Sequence, residues 1–562
     1  MNTQNVTQNG NDEVKLASSK LDELSSDRVE SRGITGDVDF YDNRVSTDPA
    51  YVAQTYAATL NGTPYTLYRV PNADHQTTDV CPASIDRITP NFFQPEIMNF
   101  GIRTNGTATI EIRLQNNVPI TNYMIRPKRY NLLSGNRTYS ATLSSGRIIL
   151  TVRGPQLLCV EINSAKTQIA DQFRFDDPVI GKSLLIFANP FETNIPSNPN
   201  YNYSANAQPY SIGTVTLQSN QTVYIAPGAI VHGTFRTAPG ATNVRIMGRG
   251  ILSGKNVPPS NSSYKAPYMI ALNKATNSSV EGVILVNSKD WTMPLFGCEN
   301  ITFDWVKIAS YTGFEDGIDV VGCRNVWIRD CFIWTKDDCI AVKCGVNYNW
   351  TDFNNGITGL PPGQTIDNAH IYNINVNNCV IWNGSRANAL EIGCELNAYR
   401  VEHIKFHHID IIHALNPCDQ DEGALSINNN GNGRVNTVEY FNIYIEDVQR
   451  YFMNIKIEQT RYSPGGSEFF NIWGTVTYTG GYVYDIYYDN IFLTKYSALH
   501  SAFVSANYPG PSNLISSVNI RNFYINGNRI SQYHPFPDTA TSNNFVLVSQ
   551  GNVNFNDNSP NW

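Results

Sequence analysis

The sequence predicts an all-β protein: a right-handed parallel β-helix (a solenoid) preceded by a smaller, antiparallel β-sandwich-like domain. Three observations predict it. The chain has 562 residues, too many for one ordinary compact core, so it forms several domains or one long repeat array. Its first third carries short alternating apolar runs separated by turn residues. Its remainder repeats itself with a period in the twenties, each unit holding two or three β-like runs.

Composition narrows the class. Charged residues make up 16%, against about 25% in an average soluble protein; Asn, Ser and Thr supply the polarity instead. Tyr 31, Phe 25 and Trp 8 argue against a wholly disordered chain, which is poor in aromatics. The net charge of −8, with no Lys/Arg block, argues against a nucleic-acid partner or an anionic lipid surface. No apolar run is long enough for a membrane-spanning helix, so no membrane insertion is expected. The first twenty residues lack the apolar core of a secretory signal.

Residues 1–48 are polar and read as a flexible arm. Residues 49–195 read as the sandwich-like domain. In Ala108-Thr109-Ile110-Glu111-Ile112-Arg113-Leu114, apolar and polar residues alternate with the period of a half-buried strand. The Pro/Asn-rich residues 196–209 read as a linker, residues 210–535 as the β-helix, and residues 536–562 as a C-terminal tail. Within the helix, Gly297-Cys298-Glu299-Asn300 and Gly322-Cys323-Arg324-Asn325 lie 25 residues apart. Further units start at Asn243, Ser279, Asn368, Val401, Asn436, Val483 and Ser517. Three short strands plus corners fill such a period. Asn and Gly at unit starts suit sharp corners and stacked amide ladders. Insertions at 346–366 and 459–481 leave the stack as loops.

Ten cysteines without a C-x-x-C exclude zinc ribbons and thioredoxin-type motifs. Eight lie between Cys298 and Cys418 and read as stacked core thiols, with pairing left open. His403, His407, His408 and His413 do not form a metal site, because His403 and His407 in one strand are about 13 Å apart. No metal and no cofactor is expected.

The chemistry concentrates in two successive coils. Phe314-Glu315-Asp316-Gly317-Ile318-Asp319 is followed by Asp337-Asp338-Cys339-Ile340-Ala341-Val342-Lys343. Asp316 and Asp337 are 21 residues apart, close to one coil, which stacks them on adjacent rungs about 4.8 Å apart. Asp338 lies at the same turn. Carboxylates packed this closely cannot all ionise freely, and a protonated carboxyl beside a carboxylate is what glycoside hydrolysis requires.

These motifs resemble the polygalacturonase-like glycoside hydrolases of family 28 and the related β-helical dextranase/isopullulanase group, family 49. The resemblance covers roughly residues 210–530. It implies a glycosidase acting on a polysaccharide by inversion, with Asp337 as general acid and Asp316 and Asp338 holding the water. It also implies extracellular action and, for an enzyme, a monomer. The chain departs from the family 28 pattern at two motifs. Gly-His-Gly is replaced around Asn388, and Arg-Ile-Lys reads Asn454-Ile455-Lys456. Losing the arginine argues against plain polygalacturonate, whose carboxylate an Arg fork would hold. Lys343, Asn388, Glu391 and Lys456 are the expected substrate-binding or electrostatic residues. Glu395 is an extra carboxylate beside them, and Trp334 is the favoured sugar-stacking ring, ahead of Trp291 and Trp382.

The competing reading is a structural or adhesive β-helix, a trimeric virion fibre or tailspike-like glycan binder at the virion surface. A polysaccharide lyase or epimerase is a third. A passive fibre has no reason to stack three carboxylates, and a lyase needs a carboxylate clamp that the missing arginine does not supply.

Overall fold

A computed structural model describes residues 33–41, 46–71, 94–131, 137–162, 183–257, 268–311, 315–345, 360, 363–365, 368–384, 387–414, 423–448, 451–467, 477–494, 502–506, 515–530, 534–535, 546–549 and 553–555. Residues 1–32 of the expected arm, most of the 346–366 insertion, Phe314, Cys81 and Cys418 lie outside them. The regular structure of the described chain is almost entirely strand, with two short 3-10 turns at Pro49–Tyr51 and Lys128–Asn131.

Two sheets form the N-terminal domain. The smaller orders its strands as Thr63–Tyr65, Tyr56–Leu60, Thr107–Leu114, Arg147–Arg153 and Thr138–Ser144, all antiparallel. The larger centres on Glu96–Ile102, Leu184–Pro190 and Gln156–Ile162. Its one parallel pairing joins Leu184–Pro190 to Glu96–Ile102. The outer sheet alternates as the sequence does: Ala108, Ile110 and Ile112 are buried while Thr107 and Thr109 are exposed. The central strands of the larger sheet are buried on both faces. Met98, Leu158 and Ile186 meet the other sheet, whereas Ile97, Leu157, Leu185 and Phe187 pack against the solenoid. A near-continuous apolar run such as Leu157-Leu158-Cys159-Val160 is what a strand covered on both faces needs.

The domain begins earlier than the sequence reading placed it. Gly33–Thr35 and Val38–Phe40, assigned to the arm, pair into the larger sheet. The linker is shorter as well, because Tyr201–Tyr203 already pairs with Thr222–Ile225 as the first rung. Within the expected C-terminal tail, Val546–Ser549 and Val553–Phe555 extend the same stack.

Thirty strands join into one continuous sheet wound as three parallel faces. The first face stacks strands such as Glu299–Asp304, Arg324–Arg329 and His370–Asn377. The second stacks Lys307–Ala309, Phe332–Thr335 and Val380–Asn383. The third stacks Met293–Phe296, Ile318–Val321, Ile340–Cys344, Leu390–Leu396, Gly423–Asn429 and Tyr451–Ile457.

The corner before the first face is an asparagine ladder. Asn220, Asn243, Asn277, Asn300, Asn325 and Asn373 all have positive φ, between 50° and 66°, a region asparagine tolerates better than other non-glycine residues. Their amides bond between neighbouring coils: Asn300 to Asn277 and Asn325 to Asn300 at 3.1 Å, Asn373 to Asn325 at 2.9 Å. The unit after the long insertion is therefore aligned on Asn373, five residues past the expected start at Asn368. Inside, like stacks on like. The rings of Phe406, Tyr440 and Tyr488 lie 5.0 and 4.8 Å apart, and the Sγ of Cys323 accepts from the Cys298 amide. All eight described cysteines are free thiols, as a stacked-thiol core requires.

The sandwich covers the second face of the helix, and a charged network crosses the seam beside the apolar contact. Arg126 bridges Glu161 of its own domain and Glu446 of the helix, while His413 sits between Glu161 and Asp447. Arg129 pairs with Asp410. His407 and His408, by contrast, bond to each other, and His407 stacks on Phe441.

Candidate active site

The site forms on the third face, where each coil enters from its preceding corner. Parallel pairing fixes the column. Gly317 donates to the Asp338 carbonyl and Cys339 donates to the Asn388 carbonyl, at 2.8 and 3.0 Å. With Ile318 opposite Ile340 and Ile340 opposite Leu390, the stacked residues are Asp316, Asp338 and Asn388. Asp316 therefore faces Asp338, not Asp337, and Asp337 sits beside the column at the turn. One oxygen each of Asp316, Asp337 and Asp338 lies within 4.8 Å of the others.

Local sequence explains the turn. Gly317 is required by approach: a Cβ there would lie 2.3 Å from the Cys339 carbonyl oxygen. Thr335 Oγ1 and Asn383 Nδ2 both donate to the Asp337 carbonyl, at 2.9 and 3.0 Å. Asp337 Oδ1 accepts from the Asp338 amide. These bonds fix the backbone of Asp337 and leave its carboxyl partly exposed, whereas Asp316 and Asp338 are buried.

Lys343 lies at the centre. It is 3% exposed, and its Nζ is 2.7 Å from Asp316 Oδ2, 3.1 Å from Glu395 Oε2, 3.3 Å from Asp319 Oδ1 and 3.8 Å from Asp338 Oδ2. The ammonium also lies 4.1 Å from the centre of the Trp291 ring. The three aspartates have the grouping of a cation site, and the Lys343 ammonium lies against two of them, Asp316 and Asp338. Buried and enclosed by carboxylates, Lys343 organises the acids and does not present its charge to a substrate. Burial opposes that charge, but Asp316, Glu395 and Asp319 outweigh it and hold the lysine protonated. One cation does not balance so many acids. Burial and the neighbouring Asp319 push Asp316 well above the usual carboxylate range despite Lys343. Burial raises Asp319 to about 6, and burial with Asp319 and Glu315 raises Asp290 to about 8. A cluster of this kind keeps a proton near neutral pH.

Asn388 stands where the family pattern has histidine. Its backbone amide and its Nδ2 both donate to Asp338 Oδ1, at 2.9 and 3.1 Å, and its own Oδ1 accepts from Gly423 of the next coil. Two donors on one oxygen fix the orientation of the Asp338 carboxyl group.

The other expected residues separate. Glu391 is 2% exposed on the outward ladder that runs Asp319, Ala341, Glu391, Ser426 and Asn454. Asn454, at the position of the family arginine, is fully buried on that ladder. Lys456 lies on the ladder of Lys343, three rungs and therefore about 14 Å further along, with Glu458 at 3.6 Å. Trp334 is not at the site. It is 1% exposed and stacks on Trp382 at 3.7 Å under the sandwich domain. Its outward direction on the second face is covered by protein, which removes it as a sugar platform. Trp291 is the tryptophan beside the carboxylates. Asp319, to which the sequence reading gave no catalytic role, belongs to the cluster. Its signal is position, two residues past Gly317 and so one full strand alternation onto the same outward face.

Comparison with known proteins fits this geometry. Residues 211–478 match the family model for glycosyl hydrolases family 28. The solenoid is a polygalacturonase-like β-helix. A probable exopolygalacturonase B of Emericella nidulans is 25% identical over 277 residues, covering 42% of this chain and 54% of the relative. A probable polygalacturonase of Vitis vinifera is 31% identical over 127 residues, covering 22% and 25%. The chain thus spans about half the length of the curated relatives it matches most fully. The polygalacturonase-like helix together with its N-terminal domain has the fold of Dex49A from Penicillium minioluteum, with a TM-score of 0.58 at 14% identity over 93% of this chain and 99% of that one.

Proposed function

We propose that the protein is a glycoside hydrolase acting on a polysaccharide, and that Asp316, Asp337 and Asp338 carry the reaction. The observation behind this reading is the meeting of their three carboxyl groups within 4.8 Å around one buried lysine. Asp337, the partly exposed member, is the general acid that protonates the leaving glycosidic oxygen. Asp316 and Asp338, fixed by Lys343 and Asn388, hold and deprotonate the attacking water. Water then enters opposite the departing group, and the product anomer is inverted. Ordinary inverting pairs hold their carboxyl groups about 6.5–9.5 Å apart to admit water. Here the water is placed against two carboxylates jointly, so the closer spacing is compatible with a single displacement. A polymeric substrate puts the reaction outside the cell.

A neutral or differently decorated glycan suits the site better than plain polygalacturonate. Buried Asn454 offers no fork for a uronate carboxylate, and Asp319, Glu391 and Glu395 around the site repel one. The specific observation on the other side is the relatives' own description as exopolygalacturonases, so polygalacturonate belongs in the assay. The test is reducing-end release over neutral and acidic polysaccharides, with NMR of the first product formed. Cleavage of a neutral glycan with inverted product supports the reading. Cleavage of polygalacturonate alone overturns the substrate class, retained product overturns the mechanism, and inactivity on every glycan favours an adhesive β-helix.

A further inference from the structure

Lys343 has three N–H donors and four carboxylates within reach. Three of them, Asp316, Asp319 and Asp338, come from its own coil and the coil before. The fourth, Glu395, reaches it through an irregularity of the next coil. Val342 pairs with Ile392, but the next pairing is Cys344 with Leu396, so Gly393, Cys394 and Glu395 stand opposite Lys343 alone. Such a bulge re-aims a side chain. Gly393 makes it possible: its φ is 119°, and a Cβ there would lie 2.1 Å from the Asn428 carbonyl oxygen. The result is a carboxylate 3.1 Å from an ammonium already paired at 2.7 Å with Asp316. A fourth acid on one buried cation adds like-charge repulsion and does not serve packing.

We propose that Glu395 is a positioning residue for the aspartate cluster: it takes part of the Lys343 charge away from Asp316 and Asp338, and thereby sets the pH range over which this water-holding pair is ionised. Besides the three aspartates, the groups facing Lys343 among the described residues include Asp290, Tyr268 and Cys394. None of these supplies a second cation, so charge given to Glu395 is lost to the aspartates. The inference rests on the hydrolase reading above.

Two measurements test it. In Glu395→Gln the amide keeps the size of the side chain but releases the ammonium. Asp316 then ionises more easily, and the acid limb of the kcat/KM profile on the cleaved glycan moves down by about 1 pH unit. Glu395→Asp, which restores the charge, moves the limb back. A limb that stays in place in Glu395→Gln, or a loss of activity that only follows a loss of melting temperature in both variants, overturns the proposal. Carboxyl carbon NMR titration of aspartate-labelled protein needs no substrate. It is expected to give lower midpoints for the cluster in Glu395→Gln, and unchanged midpoints overturn the proposal. Inactivity of the wild type with lowered midpoints in the variant rejects the hydrolase reading and leaves the coupling of Glu395 to the cluster supported.

Discussion

Two buried charge clusters lie in this molecule, and they are built on opposite terms. At the seam between the domains, Arg126, Arg129 and His413 meet Glu161, Asp410, Glu446 and Asp447, so cations and carboxylates are nearly matched. Each ring nitrogen of His413 faces a carboxylate, at 3.2 and 2.6 Å. On the third face, the one ammonium of Lys343 meets Asp316, Asp319, Asp338 and Glu395. The first cluster ties two domains together, whereas the second crowds acids from three coils around one ammonium. The difference separates a structural use of buried charge from a chemical one, although burial alone does not distinguish them.

Substitutions sharpen the contrast. The largest expected effect is Asp338→Asn, which keeps shape and removes half of the water-holding pair: turnover falls about 10²–10⁴-fold with little change in melting temperature, read by initial rates beside a thermal scan. At the seam the effects reverse. Arg126→Met strands Glu161 and Glu446 and costs about 3–5 kcal/mol, measured by denaturant unfolding, with turnover per folded molecule retained.

Glu161 at the seam and Asp319 on the third face answer pH with opposite signs. Burial opposes the charge on Glu161, but Arg126 and His413 hold it far below the usual carboxylate range. Its contribution is complete above the unfolded glutamate value of about 4.3 and is lost as the pH falls below that. Asp319 is raised to about 6, so the folded state binds the extra proton, and stability declines as the pH rises from the unfolded value of about 3.9 towards 6. Asp319→Asn is therefore expected to be more stable than wild type at pH 7, by at most about 3 kcal/mol, with the gain vanishing below pH 4. A gain that persists at pH 3 breaks this account.

The smallest expected effect lies on the asparagine ladder. Asn300→Ala loses both inter-coil amide bonds of that side chain and leaves φ 58° to a residue that tolerates it less well than asparagine, costing about 1–2 kcal/mol. Asn300→Gly, which tolerates that φ, costs less.

The ladder and the acids also mark what the sequence made legible. Asn300 and Asn325 recur at one coil's spacing because that corner demands positive φ, so the solenoid could be read directly. Asp316, Asp337 and Asp338 could be read as a cluster because one coil separates them. The pairing inside the cluster could not, since a one-residue shift from Asp337 to Asp338 is decided by backbone hydrogen bonds, not side-chain type. Asn373 was hidden by an insertion that changes the coil length. Trp334 misled because strand alternation gives its direction but not what lies there, and a second domain covers that face. Arg126 and Glu446 are 320 residues apart, and nothing local in either stretch points to the other. Lys343 carried its motif but not its role, which depends on four acids drawn from three coils.

The account stands most directly on Asp337. The decisive measurement is hydrolysis of the cleaved glycan by wild type and Asp337→Asn in parallel, with melting temperatures recorded for both. A rate reduced about 10³-fold in a variant that melts like wild type is the expected result. Hydrolysis at the full wild-type rate by Asp337→Asn would contradict the assignment of this aspartate cluster as the reacting centre.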